Sequence, residues 1–323
     1  MSKKVLVSGV QATGQLHLGN YFGALKQFVD LQDEYHAHIF VANYHSLNTI
    51  KDGALLEKLT RDVVLDYLAI GLDPEKVVLY TQTSVPQLFE LTWIFNTLVT
   101  VPWLERAHAF KDKTQKGIEA SVGLFDYPVL QAADIVLPGA HVVPVGEDQR
   151  QHIEMTREIV RKCNTQYNTT FIEPQEIIQE NTAIIPGIDG QKMSKSYGNT
   201  IPLFGTDAEI KKAVMSIVTD SADRDDPKNP DENIIYQLLA YVGTDEEIQT
   251  MRQGFLEGGL GYGDAKKTLL EAIIRLVAPM RKRRAYYENN PEVVDEILKK
   301  GGEQMYAHAE NVMTDVRLKL GLR

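Results

Sequence analysis

The chain has 323 residues, 43% hydrophobic and 24% charged, with a formal net charge of −10. That length and balance allow one large or two modest domains around a sizeable packed core, and they exclude a disordered chain. The acidic total argues against a general nucleic-acid coat, and the single cysteine, Cys163, excludes an internal disulfide framework, a multi-cysteine metal site and an iron–sulfur cluster.

The hydrophobic run near the start, Val5 to Gly9, is too short for a signal peptide, and no stretch approaches the ~20 apolar residues that span a bilayer. A soluble, cytoplasmic protein without membrane partners is expected. Charge is uneven: residues 271–323 carry ten Lys or Arg against eight Asp or Glu, with Arg281 to Arg284 the densest basic run, so any RNA contact should be a local patch.

In chain order, Lys4 to Gly9 reads as a short buried strand closed by a glycine turn, and Leu16 to Leu31 has helical spacing through Leu18, Phe22, Leu25, Phe28 and Val29. Ile39 to Ala42 reads as a second buried strand, although periodicity alone does not separate so short a run from a buried helix segment. Leu55 to Ile70 is an amphipathic helix and Val77 to Thr81 a third strand. Helices are expected over Gln87 to Leu98, Trp103 to Lys111 and Tyr127 to Leu137, the last with Pro128 in its first turn. Val142 to Gly146 reads as a strand despite Pro144, a residue rare in central strands. Asp148 to Cys163 reads as a helix with an acid at its positive end.

From Asp207 onward strand signals stop. Asp264 is placed to cap a helix with an apolar stripe of Leu269, Leu270, Ile273, Ile274, Val277 and Met280. Pro291 begins a last long helix that Gly301-Gly302 is expected to interrupt. Alternating strands and helices imply βαβ crossovers. The fold expected is α/β, a Rossmann-type parallel sheet over residues 1–203 and a smaller all-helical region over 204–323, its last helix free to pack back on the first domain.

The most chemical stretch is Lys192-Met193-Ser194-Lys195-Ser196, with Gly187 and Gly190 before it and Gly198 and Asn199 after it. Two ammonium groups and two hydroxyls on a glycine-flanked loop suit a clamp on a polyphosphate. On charge alone, a solvated basic loop is the plainer reading. A second stretch, His17-Leu18-Gly19-Asn20, sits where a strand loop gives way to a helix, a natural place for phosphate.

Together the two stretches resemble the paired signatures of the class I aminoacyl-tRNA synthetases, with Asn20 where a second histidine is common. The resemblance narrows to the tryptophanyl-tRNA synthetase family through Leu104-Glu105-Arg106, Phe110 to Lys113, Tyr127 to Asp134, Val143 to Gln149 and Val218-Thr219-Asp220. It implies a Rossmann catalytic domain, a helical domain that reads the anticodon, and a homodimer. It also implies activation of L-tryptophan by Mg-ATP to an adenylate, then transfer to tRNA(Trp), with no metal held by the protein itself. A tyrosine-specific relative and a catalytically silent tRNA-binding paralogue are the alternatives.

Carried over position by position, the resemblance gives His17, Asn20, Lys192, Ser194 and Lys195 catalytic roles. ATP would be met by Gln11, Ala12, Thr13, Gly19, Asn20, Gly146, Glu147, Asp148 and Ile184, by Lys192 to Ser196 including Met193, and by Lys111 and Lys113. Tryptophan would be held by Asp134, as acceptor of the indole N–H, with His45, Gln131, Val143, Val145, Gln149 and Val7. Two of these depart from the family pattern: Val7 stands where an aromatic residue is frequent, and Gln131 where methionine is, which touches on the tyrosyl branch.

Overall fold

Val5, Leu6 and Val7 form the middle of a sheet because their side chains are covered on both faces; Leu6 and Val7 are fully buried. The computed structural model describes residues 3–106, 121–178 and 185–322, with Asp148 by its backbone alone. Strands β1 (Val5–Val10), β2 (His36–Val41), β3 (Val77–Thr81), β4 (Val142–Pro144) and β5 (Gln175–Ile177) run parallel in the order β3-β2-β1-β4-β5. The order reverses between β1 and β4, the switch point at which open α/β sheets bind ligands beyond the strand C-termini. This is an α/β Rossmann-type fold.

The helices of the first half are α1 (Leu18–Asn20), a π-helical turn (Tyr21–Leu25), α2 (Lys26–Leu31), α3 (Asn43–Ser46) and α4 (Gly53–Ile70). They are followed by α5 (Gln87–Asn96), α6 (Val101–Leu104), α7 (Val122–Val136) and α8 (Arg150–Tyr167). Local chemistry sets their ends. Asp52 accepts the Leu55 N–H to start α4, which stops at Gly71 in the left-handed region, and Ser121 accepts the Leu124 N–H to start α7. Later come α9 (Asp207–Met215), α10 (Ile234–Val242), α11 (Asp245–Leu256), α12 (Tyr262–Asn289) and α13 (Pro291–Leu320). Helices α9 and α11 open on reciprocal capping boxes, Thr206 with Glu209 and Thr244 with Glu247.

Two compact units emerge. One comprises residues 1–14, 27–179 and 287–323; the other comprises 15–26 and 180–286. The first holds the sheet, and its core gathers Val7, Val143, Phe95, Val129, Ile159 and, from α13, Met305, Ala309 and Met313. In the second, α9 to α12 bury Ile210, Val214, Leu238, Leu239, Met251, Phe255, Leu269 and Ile273. No described helix is long and apolar enough to cross a membrane.

Several sequence expectations are corrected. Helix α7 begins at Val122, five residues before the expected Tyr127, so Pro128 lies inside it rather than in its first turn. The N–H that Pro128 lacks would have bonded the carbonyl of Leu124. Strand β4 ends at Pro144, so the missing donor falls on its last residue, and the Val145 N–H resumes the ladder to Ile177 at 3.1 Å. Helix α8 starts at Arg150, after a 3-10 turn that contains Asp148, and runs on to Tyr167. Asp264 lies within the first turn of α12 instead of capping it. Of the segment expected as a helix from Trp103 to Lys111, the part after Arg106 lies outside the described residues.

Gly301-Gly302 does not interrupt α13. A Cβ on Gly301 would stand 2.0 Å from the Leu79 carbonyl oxygen, so the glycine is there to let the helix cross the backbone of β3. A Cβ on Gly302 would meet only the Ser84 side chain, at 2.9 Å. Gly301→Ala should therefore destabilise the protein by about 1–3 kcal/mol from overpacking, despite a helix-propensity gain of about 1 kcal/mol. Gly263→Ala, with nothing within 4 Å of its new Cβ, should be neutral or stabilising. Urea unfolding of the two variants checks the contrast.

Candidate active site

At the C-terminal ends of β1 and β2 the first unit has a cavity of about 350 Å³, lined in part by Gly9, Gln11, Phe40, Ala42, His45 and Asn48. Tyr127, Gln131, Asp134 and Gln149 complete its polar side. The structure thus brings together five of the expected residues: Gln11, His45, Gln131, Asp134 and Gln149.

Asp134 is 3% exposed, and a carboxyl group so buried has to find donors. It finds two. Gln82 Nε2 lies 2.9 Å from Oδ1 and 2.8 Å from Oδ2, and His45 Nε2 donates to Oδ2 at 3.0 Å. Gln82 is itself fully buried, and its Oε1 accepts the Tyr44 N–H at 2.9 Å and the His45 N–H at 3.4 Å. A carboxylate has about four acceptor positions. Among the described residues three are taken, which leaves one on Oδ1, and Asp134 is among the residues that line the cavity.

Gln82 was missed in the sequence, although it directly follows the last residue of β3, where ligand residues of parallel sheets collect. Phe40 was missed because an apolar strand residue reads as core. Val7 and Val143 belong to the buried core cluster and Val145 packs against it; none of the three lines this cavity.

On the loop after β1, the Ala12 N–H donates to Ser46 Oγ at 2.9 Å, while Gln11 and Thr13 are exposed. Gly146 is half-buried, and Glu147 is exposed with its carboxylate bonded by Arg150 at 2.7 and 2.8 Å, which lowers its pKa. Lys111, Lys113 and Ile184 lie outside the described residues, as does the Asp148 side chain.

The second unit holds both signature stretches and joins them. A Cβ on Gly19 would lie 2.9 Å from His17 Nδ1 and 3.1 Å from Met193 Cβ, so only glycine fits between them. The Gly19 N–H points at Met193 Sδ at 3.2 Å, and Met193 is 4% exposed. The methionine of the loop is an anchor, buried under the helix start, while Lys192, Lys195 and Ser196 face outward.

His17 and Asn20 form a capping box: the Asn20 N–H donates to His17 Nδ1 at 3.3 Å, and the His17 N–H donates to Asn20 Oδ1 at 3.2 Å. This gives Asn20 a structural reason to stand where it does. Burial, with the Lys195 charge nearby, holds the His17 imidazole down at about 4. The ring is neutral at pH 7, and with Nδ1 accepting, its proton sits on Nε2 as a donor.

Asn199, 2% exposed, builds the loop. Its Oδ1 accepts the Ser194 N–H at 2.8 Å, and its Nδ2 donates to Asp189 Oδ1 at 2.8 Å and to the Lys192 carbonyl at 3.1 Å. Gly187 has no Cβ because Asn199 Cγ would stand 2.4 Å from it. Ser194 and Ser196 hydroxyls bond each other at 2.9 Å. Chemically, the loop presents ammonium groups from a rigid frame, which suits stabilisation of charge on a phosphate. In the basic run of α12, Arg281 bonds Asp207 at 2.5 Å and Arg284 lies over the Phe204 ring.

The sequence profile of the class I tRNA synthetases (W and Y) matches residues 2–278. A tryptophan–tRNA ligase from Fusobacterium nucleatum is 48% identical over 92% of each chain, and one from Rhodopirellula baltica is 42% identical over 98% of this chain and 99% of its own. The crystal structure of tryptophanyl-tRNA synthetase from Campylobacter jejuni, complexed with ADP and tryptophan, superposes with a TM-score of 0.93 at 38% identity, over 98% of this chain and 99% of that one. The chain belongs to the class I tRNA synthetases of the tryptophan and tyrosine branch.

Proposed function

We propose that this protein is a tryptophan–tRNA ligase. The observation that carries the reading is Asp134, a buried carboxylate with one acceptor position left on Oδ1, in the wall of a cavity whose apolar lining is Phe40, Ala42 and Leu124 and whose polar lining includes Gln11, Gln131 and Gln149. An indole offers one N–H and a large apolar ring, and the cavity is complementary to both. The relative from Campylobacter jejuni, crystallised with ADP and tryptophan, supports both ligands.

The tryptophan carboxylate attacks the α-phosphorus of Mg-ATP, the bond to the β-phosphate bridge oxygen breaks, and pyrophosphate leaves with the electron pair. A tRNA terminal ribose hydroxyl then attacks the activated carbonyl and AMP departs. In the first unit, Asp134, His45, Gln131 and Gln149 hold the amino acid, while Gln11, Ala12, Thr13 and Gly146 to Asp148 meet the nucleoside. In the second unit, Gly19 and Asn20 seat the nucleotide and His17 Nε2–H donates to phosphate. Lys192, Ser194, Lys195 and Ser196 neutralise the leaving pyrophosphate, with Lys111, Lys113 and Ile184 as further contacts. Such catalysis is positioning and charge stabilisation throughout.

Residues 204–323 are read as the region that engages the tRNA anticodon. A homodimer in the cytoplasm completes the reading; exposed Phe89, Trp93, Val101 and Val122 give a second copy apolar surface to cover.

ATP–pyrophosphate exchange with tryptophan, tyrosine and phenylalanine offered separately tests the proposal. Exchange with tryptophan alone is expected. Exchange with tyrosine would reassign the pocket through Gln131, and no exchange from folded protein would favour a silent paralogue. Lys195→Ala should slow adenylate formation on the order of 10²–10³-fold while leaving tryptophan affinity unchanged; single-turnover rates and equilibrium dialysis separate the two. Asp134→Ala should cut the preference for tryptophan over phenylalanine from on the order of 10⁴ or more to about 10². An unchanged ratio of kcat/KM values would remove the indole contact.

A further inference from the structure

Among the described residues, three with ring side chains line the amino-acid cavity: Phe40, His45 and Tyr127. Two are engaged through polar atoms. His45 bonds Asp134, and the Tyr127 hydroxyl lies 2.6 Å from His152 Nε2. Phe40 has no polar atom to engage, and what it presents to the cavity is a ring.

That ring is seated with care. Phe40 is the register partner of Gly9 across β1 and β2. A Cβ on Gly9 would stand 2.6 Å from the Phe40 carbonyl oxygen and 2.9 and 3.0 Å from the two ring Cδ atoms. The Phe40 ring therefore lies against bare glycine backbone, backed by the Tyr80 ring at 5.7 Å and 30°. Val7, two residues before Gly9 and on the same face of β1, is fully buried in the core and leaves β1 with no aromatic group for the cavity.

The remaining acceptor position on Asp134 fixes one edge of a bound ring but leaves it able to swing about the N–H···O axis. Removing that freedom takes a surface in contact with the ring face. We propose that Phe40 is this surface: it stacks on the indole of the substrate and sets its plane, and residue 9 is glycine in order to seat it. The inference rests on the reading of the cavity as a tryptophan site and adds a specificity-determining residue to it.

Phe40→Leu keeps an apolar group of similar bulk and removes the ring. In ATP–pyrophosphate exchange its KM for tryptophan should rise roughly 3- to 10-fold with the KM for ATP unchanged. A purely structural role is separated by tryptophans carrying successive ring fluorines, which alter the charge on the ring face. KM should vary steadily along that series in the wild type and lose the trend in Phe40→Leu. An unchanged KM for tryptophan, or the same trend in both proteins, overturns the proposal. If the leucine variant does not fold, Phe40→Met, flexible and close in volume, is read the same way. Should the wild type exchange with tyrosine instead of tryptophan, the substrate reading fails by itself, and fluorotyrosines then decide for or against stacking by Phe40.

Discussion

A carboxyl group almost wholly removed from water governs the first unit. Asp134 sits on α7, yet its partners come from elsewhere: Gln82 from the turn after β3 and His45 from the short helix after β2. Leaving any of these polar atoms unpaired costs about 1–3 kcal/mol, so the network holds only if the ends of β2 and β3 and the face of α7 keep their mutual register. Asp134 and His45 line the cavity as well as bonding each other, while Gln82 holds the acid without lining it. Stability and the shape of the cavity therefore draw on one set of hydrogen bonds, and the sheet cannot slip by one residue without losing both.

The second unit divides its labour differently. Its fixed parts are apolar or backbone: Met193 beneath Gly19, and Asn199 across the loop behind Ser194. Its two lysines, Lys192 and Lys195, are exposed. In the proposed reaction, a fixed frame carrying two ammonium groups would stabilise charge on a phosphate. The neutral imidazole of His17 adds a donor without adding another positive charge beside Lys195.

How far the sequence carried depends on what kind of signal each residue leaves. Strands β1 to β3 were legible because buried parallel strands need continuous apolar runs. Strand β5 was not: Gln175-Glu176-Ile177 is a short edge strand, and Glu176 spends its carboxylate on Arg157 at 2.6 Å instead of on an apolar face. Pro128 and Gly301 misled for the same reason. Each is a local breaker, and tertiary packing overrode it. The two signature stretches and Asp134 were legible only through the family resemblance, since a solvated basic loop and a solvent-facing helix carboxylate are the plainer readings of such residues, whereas Gln82 and Phe40 look like any strand-end glutamine and any core phenylalanine. The direction a valine faces is also silent in sequence, which is why Val7 and Val143 proved to be core.

The crossing of α13 over β3 has a consequence for how the chain is made. Leu79 leaves the ribosome long before Gly301, and at ordinary elongation rates the interval is on the order of ten seconds or more. Until then one face of the sheet lacks the Met305, Ala309 and Met313 side chains that complete its core. The first unit is assembled from three separated stretches of chain, with the whole of residues 180–286 synthesised in between. The nascent sheet thus spends that interval with apolar surface exposed, and closure of the fold is a late, long-range event rather than a local one.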